Sequence, residues 1–99
     1  MDTLADRAAR RTYERLVREL KRGRASQHLT QQDLADALDV PRPYVVSLES
    51  NRPVHQIDRL IKALHLLGLE LVVVPSDHPI ARAQRADDAA APARVDRRR

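Results

Sequence analysis

The 99-residue chain has no cysteine, tryptophan or phenylalanine, and only two glycines and two tyrosines. Without cysteine there are no disulfides, thiolate metal ligands or thiol nucleophile, which fits a cytoplasmic protein. With two tyrosines as the whole aromatic complement, any core must be built from Leu, Val, Ile and Ala. Two glycines leave no room for a glycine-rich phosphate loop. The four histidines, His28, His55, His65 and His78, are scattered, with no two at metal-ligand spacing. Neither catalysis nor a metal or other cofactor is therefore expected, and each histidine reads as a surface or packing residue. No apolar run approaches the ~20 residues of a membrane span. The opening MDTLADRAAR has no apolar segment to serve as a signal peptide.

Charge is present in quantity but unevenly placed. The net charge is +4, which points to a polyanionic partner. Residues 1–28 hold eight basic and four acidic side chains, and residues 75–99 hold six and four. Residues 29–55 hold two basic and four acidic and are net negative. Bulk charge thus does not identify the partner, and local pattern has to. A core this small is marginal alone, so association is expected.

The spacing of Leu4, Ala8, Tyr13, Leu16, Val17, Leu20 and Arg24 predicts one helix over residues 4–27, with Thr3 and Asp6 as its capping pair. Gly23 inside it marks a close approach to a neighbouring helix. The arginines at 7, 10, 11, 15, 18 and 22 form either a solvated face or a contact with phosphates or an acidic partner. A second helix begins after Thr30, with Asp33 completing a capping box, buries Leu34, Ala35 and Leu38, and stops at Asp39. The free N–H groups of its first turn, at Gln31 and Gln32, can accept a phosphate. A third helix runs from about Pro41 to Ser50, with Asn51 as a left-handed cap.

At about 100° per residue, Pro41, Val45 and Leu48 of the third helix face the core, with Tyr44 at the edge. Arg42, Pro43, Val46, Ser47 and Ser50 face out, a side with one charge and two apolar groups. Water-facing helices normally carry Lys and Glu there. A short, nearly uncharged side beside one Arg suits the major groove, where Arg pairs with guanine, a hydroxyl bonds either way and Val meets a thymine methyl. A protein-contact face is the other reading.

Leu29 to Asn51 resembles the helix-turn-helix of the Cro/phage-repressor (Xre-like) family, through Thr30, Gln31, Leu34, Ala35, Val40, Val45, Leu48, Glu49 and Asn51 at matching spacing. Asp39 stands where the family usually has Gly, and Pro41 and Val46 where it usually has Ser. The resemblance implies base contacts from Arg42, Pro43, Val46 and Ser47. It implies phosphate contacts from Thr30, Gln31, Tyr44, Asn51 and Arg52, and an internal ion pair between Arg24 and Glu49. The implied partner is double-stranded DNA.

Residues 56–67 predict a further helix with a stripe of Ile57, Leu60, Ile61, Leu64 and Leu67, ended by Gly68. Leu69, Glu70, Leu71, Val72, Val73 and Val74, closed by Pro75, read as a short strand. A lone strand leaves its backbone groups unpaired, so pairing with a second copy across a two-fold axis is expected; a buried extended tail is the alternative. The expected fold is all-α: a repressor-like domain over residues 1–75 with four or so helices and one C-terminal strand shared between subunits. That arrangement is similar to HipB-type antitoxins, which implies a homodimer on a palindromic operator and a HipA-type kinase toxin as partner. A stand-alone regulator of the same family, or an interaction module that keeps the fold without DNA binding, are the other readings. Residues 76–99 are expected to be disordered, with 80–91 transiently helical and Arg97, Arg98 and Arg99 adding nonspecific affinity or solubility.

Overall fold

The computed structural model describes residues 3–90. These form five helices, α1 (Leu4–Ser26), α2 (Gln31–Leu38), α3 (Arg42–Leu48), α4 (His55–Leu66) and α5 (Pro79–Ala90). Two pairings build the domain: α1 packs on α4, and α2 packs on α3. None of these helices is long and apolar enough to cross a membrane.

Helix boundaries follow local chemistry. Thr3 and Thr30 each cap a helix with a reciprocal box. The Thr3 N–H donates to Asp6 Oδ2 at 3.0 Å, and the Asp6 N–H donates to Thr3 Oγ1 at 3.0 Å. At α2 the matching distances are 2.8 and 3.0 Å between Thr30 and Asp33. The backbone bond from Thr3, then the Lys62 ammonium, holds the Asp6 carboxyl well below the usual carboxylate range. α1 and α4 end in the same paired motif. The Leu29 N–H reaches Arg24 O at 3.1 Å and the His28 N–H reaches Ala25 O at 3.0 Å; Leu69 and Gly68 repeat the pattern on Leu64 and His65 at 2.8 and 3.0 Å. Gly68 takes the required left-handed turn freely, at φ 76°, whereas His28 does so with a side chain, at φ 57°. Asp39 ends α2 in the same region, at φ 58°.

Ala9, Tyr13, Val17 and Ile61 make the α1–α4 core, with Leu16 and Leu71 packed on it. Ala35 and Val45 close the α2–α3 contact, both without exposed surface. Full burial of a residue such as Ile61 or Val45 contributes about 1.5–3 kcal/mol. Thr12, also buried, joins its hydroxyl to His65 Nε2 at 3.0 Å and accepts from Arg15 Nη2 at 3.1 Å. Lys62 of α4 bridges Asp6 of α1 at 2.9 Å and Asp58 at 3.1 Å, a second tie between the two helices.

Several sequence expectations need correction. Leu4 is exposed, and Ala9 and Thr12 are buried instead, so the inner face of α1 is turned from the one read off the leucines. Nothing approaches Gly23, since the segment across from it is separated by an open groove. Leu38 is half exposed because Ala35 makes the close approach to α3. Pro41 is exposed and precedes the helix as its N-cap with extended backbone, so helical phase does not apply to it. α3 ends at Leu48, and Asn51 has no left-handed φ: Glu49 and Ser50 leave the helix through short turns to Val45 and Ser47 carbonyls.

Residues 69–74 are extended but form no strand, and among the described residues their backbone groups from 70 to 74 have no hydrogen-bonding partner. A ladder needs a second strand, and the single chain offers none. Part of the segment takes the alternative course of packing on its own domain, with Leu71 against the core and Leu69, Val72 and Val73 exposed. Within the tail, residues 79–90 form α5, which takes in nearly all of the stretch expected to be transiently helical. Alanines favour helix, the Ile80 N–H bonds His78 Nδ1 at 3.0 Å, and Gln84 bonds Asp88 at 3.0 Å one turn on. No residue of α5 is buried. Arg97, Arg98 and Arg99 lie outside the described residues.

Candidate nucleic-acid interface

α2 and α3 meet across a tight turn at Asp39–Pro41, and α3 rests on the domain only through Val45 and, partly, Leu48. Its remaining side stays open. Arg42, Pro43, Val46 and Ser47 are all exposed, with Val46 at 43%, and Tyr44 flanks them at 53%. Pro43 lies in the first turn, where a missing N–H leaves no helical bond unmade. The four residues expected to read bases thus share one bare surface.

The position of α3 is set by an ion pair. Arg24 Nε donates to Glu49 Oε2 at 2.5 Å and Arg24 Nη2 donates to Glu49 Oε1 at 3.0 Å, a bidentate pair. Arg24 Nη1 also bonds the Leu29 carbonyl at 2.8 Å. Glu49 is only 8% exposed. The Arg24 guanidinium, opposed by burial and aided by Gln31, holds its carboxyl below the ordinary glutamate range. In turn Glu49 raises the Arg24 guanidinium. The end of α1 is therefore fastened to the end of α3.

Gln31 extends that pair to the surface. Its Nε2 donates to Glu49 Oε1 at 3.1 Å, and its Oε1 accepts from Arg42 Nη2 at 3.1 Å. The amide can face only one way, since reversal would set its oxygen against a carboxylate and its NH2 against a guanidinium. Arg24, Glu49, Gln31 and Arg42 thus form one chain from inside the domain to the first residue of α3. The expected phosphate contact at Gln31 falls to its backbone N–H, because both ends of the side-chain amide are engaged by protein and serve to position Arg42.

The backbone at the same corner remains available. Among the described residues, the N–H groups of Gln31 and Gln32 have no protein acceptor, and the Thr30 hydroxyl, which accepts from Asp33, still has a proton to donate. Three donors at a helix start suit one phosphate oxygen. Thr30, Asn51 and Arg52 are exposed, and the latter two lie in the loop after α3. That loop is held by Tyr13, whose hydroxyl accepts the Val54 N–H at 2.9 Å. Sequence reading took Tyr13 only as a core residue, and nothing in its spacing announced a partner 41 residues away.

A helix-turn-helix family model, HTH_3, matches residues 20–74. No curated protein and no solved structure matches the chain. The matched span runs from the end of α1 through α4 and the extended segment, and takes in the Arg24–Glu49 pair and the whole exposed face of α3. With more than half of its length covered, and with the two-helix unit in place, the chain belongs to the helix-turn-helix family of DNA-binding regulators, of the Cro/phage-repressor type.

Proposed function

We propose that the chain is a dimeric, sequence-specific repressor that binds a palindromic operator, and that it serves as the antitoxin of a HipA-type kinase toxin whose operon it regulates. The observation that carries the repressor reading is the bare face of α3, with Arg42 held at its leading end by Gln31. In the groove Arg42 takes a guanine edge, Ser47 bonds a base by its hydroxyl, and Pro43 and Val46 meet methyl groups. Thr30, the backbone at Gln31, Tyr44, Asn51 and Arg52 hold phosphates on either side and set the register.

Two features support the dimer. α3 is only seven residues long and reads few base pairs; two copies related by symmetry read half-sites about 10 bp, or ~34 Å, apart. Leu66, Leu67, Leu69, Val72 and Val73 are each more than half exposed in a continuous stretch, beside backbone groups without partners. Antiparallel pairing of residues 69–74 between two copies gives those backbone groups partners. The antitoxin reading rests on the resemblance of that single terminal segment to HipB-type proteins.

An interaction module without DNA binding is the second reading, favoured by the exposed Asp33, Asp36 and Asp39 of α2, which repel phosphates. A gel shift on the DNA upstream of the gene, with sedimentation of the free protein, separates the readings. Dimers that retard this DNA, and do so less as salt rises, support the repressor. Dimers or monomers that retard no DNA support the module. A kinase-like gene adjacent to this one, whose product co-purifies with the chain, supports the antitoxin reading, and its absence removes that part alone.

A further inference from the structure

α1 carries a second surface that the DNA reading leaves unused. Arg11, Arg15, Arg18 and Arg22 recur at helical spacing and are all exposed. At 3.6 residues per turn they lie roughly 160° around α1 from Tyr13, Val17, Leu20 and Arg24, the side that meets α3 and α4. The arginines thus face away from the side of α1 that meets α3, whose outer face is the proposed DNA surface. The phosphate reading of these arginines therefore loses its geometry, and the acidic-partner reading keeps it.

The stripe is only half neutralised by the chain's own carboxylates. Arg22 pairs with Glu19 at 2.9 Å and Arg15 reaches Glu70 at 3.7 Å, while Arg11 and Arg18 have no partner among the described residues. Like charges at i, i+4, as in the 11/15 and 18/22 pairs, disfavour a helix. Beside the stripe runs the extended segment. Between them a groove of about 340 Å³ is lined by Arg15, Arg18, Glu19 and Arg22 on one wall and by Leu71, Val72 and Val73 on the other. It continues past Gly23 toward Ser76 as a further cleft of about 550 Å³. One wall is net cationic, three arginines against Glu19, with planar, bidentate donors suited to carboxylates; the other is apolar.

From this pairing of walls we infer that the groove is a docking site for an extended acidic segment of a partner protein, with carboxylates on the arginines and intervening apolar side chains on residues 71–73. The chain's own end is a poor occupant, because residues 91–99 hold four arginines and one aspartate. The inference does not depend on DNA binding or on the antitoxin reading.

The test uses the full chain and fluorescence polarisation of three probes: a labelled peptide alternating Glu and Val, its Lys–Val counterpart, and a duplex of random sequence. The Glu–Val peptide is expected to bind and the Lys–Val peptide not. Combined Arg18→Glu and Arg22→Glu should weaken the Glu–Val peptide by on the order of tenfold or more and now admit the Lys–Val peptide. Arg18→Lys with Arg22→Lys should retain partial binding. Duplex affinity and sedimentation should not change in either variant. Failure of the Glu–Val peptide to bind, or equal binding to the reversed variant, overturns the inference. So does a loss confined to the duplex, which would return the stripe to phosphates, and so does conversion to monomer, which would give the groove to a second copy. Exchange of peptide preference in the reversed variant also shows that it is folded.

Discussion

Glu49→Leu is the substitution with the most to reveal. Glu49 is 8% exposed and accepts three hydrogen bonds, two from Arg24 and one from Gln31. Removing one partner of a buried pair costs about 3–5 kcal/mol, because the other charge is stranded. The low end applies, since the Arg24 side chain keeps 20% of its surface in water and retains its bond to the Leu29 carbonyl. A loss of roughly 3 kcal/mol lowers the melting temperature of a domain this size by about 12–24 °C. The double variant Arg24→Met with Glu49→Leu should recover most of that loss, because an apolar pair strands nothing. pH gives an independent arm. The folded carboxyl of Glu49 lies below the ordinary value of 4.5, so its contribution is fully present above that value and fades as pH falls through the lower folded one. The gap between wild type and Glu49→Leu should thus be full at neutral pH and close in acid. Thermal melts followed by circular dichroism measure each quantity. A Glu49→Leu protein that melts within a few degrees of wild type at neutral pH, or a gap that widens in acid, would refute the reasoning.

Other substitutions probe the same geometry. His28→Gly relieves a side chain held at φ 57° and should stabilise the fold by about 1 kcal/mol in denaturant titration; Asp39→Gly at φ 58° should act in the same direction. Tyr13→Phe removes the hydroxyl that accepts the Val54 N–H and should cost about 1 kcal/mol, with faster amide exchange at Val54. Arg42→Ala should lose about 1–3 kcal/mol of discrimination between specific and random DNA in competition binding, while Arg52→Ala weakens both alike. Gln31→Ala should resemble Arg42→Ala more than Arg52→Ala, because the Gln31 side chain holds Arg42.

Much of the architecture could be read from residues whose local chemistry is self-contained. Thr3 with Asp6, Thr30 with Asp33, and Gly68 mark helix ends through atoms at most a few positions away, and the structure places helices there. The Arg24–Glu49 pair was accessible only through resemblance, since spacing alone does not bring residues 25 apart together. Thr12 with His65, Lys62 between Asp6 and Asp58, and Tyr13 with Val54 are tertiary contacts for which the chain carries no local sign. Leu4 and Leu38 misled because apolarity marks what can be buried, whereas available partners decide what is. Residues 69–74 misled differently: β-branched side chains favour extended backbone, but a strand exists only with a neighbour. α5 was legible as a helical stretch through its alanines, which favour helix, and as one without core-forming power, since none of its residues is buried.

Enrichment of bound duplexes from a random-sequence pool tests most directly the claim that the open side of α3 reads DNA. Wild-type protein should enrich an inverted repeat with half-site centres about 10 bp apart, and an Arg42→Ala, Ser47→Ala protein of unchanged melting temperature should lose that preference. No enrichment by the folded wild-type protein, or the same repeat enriched by both proteins, would contradict it.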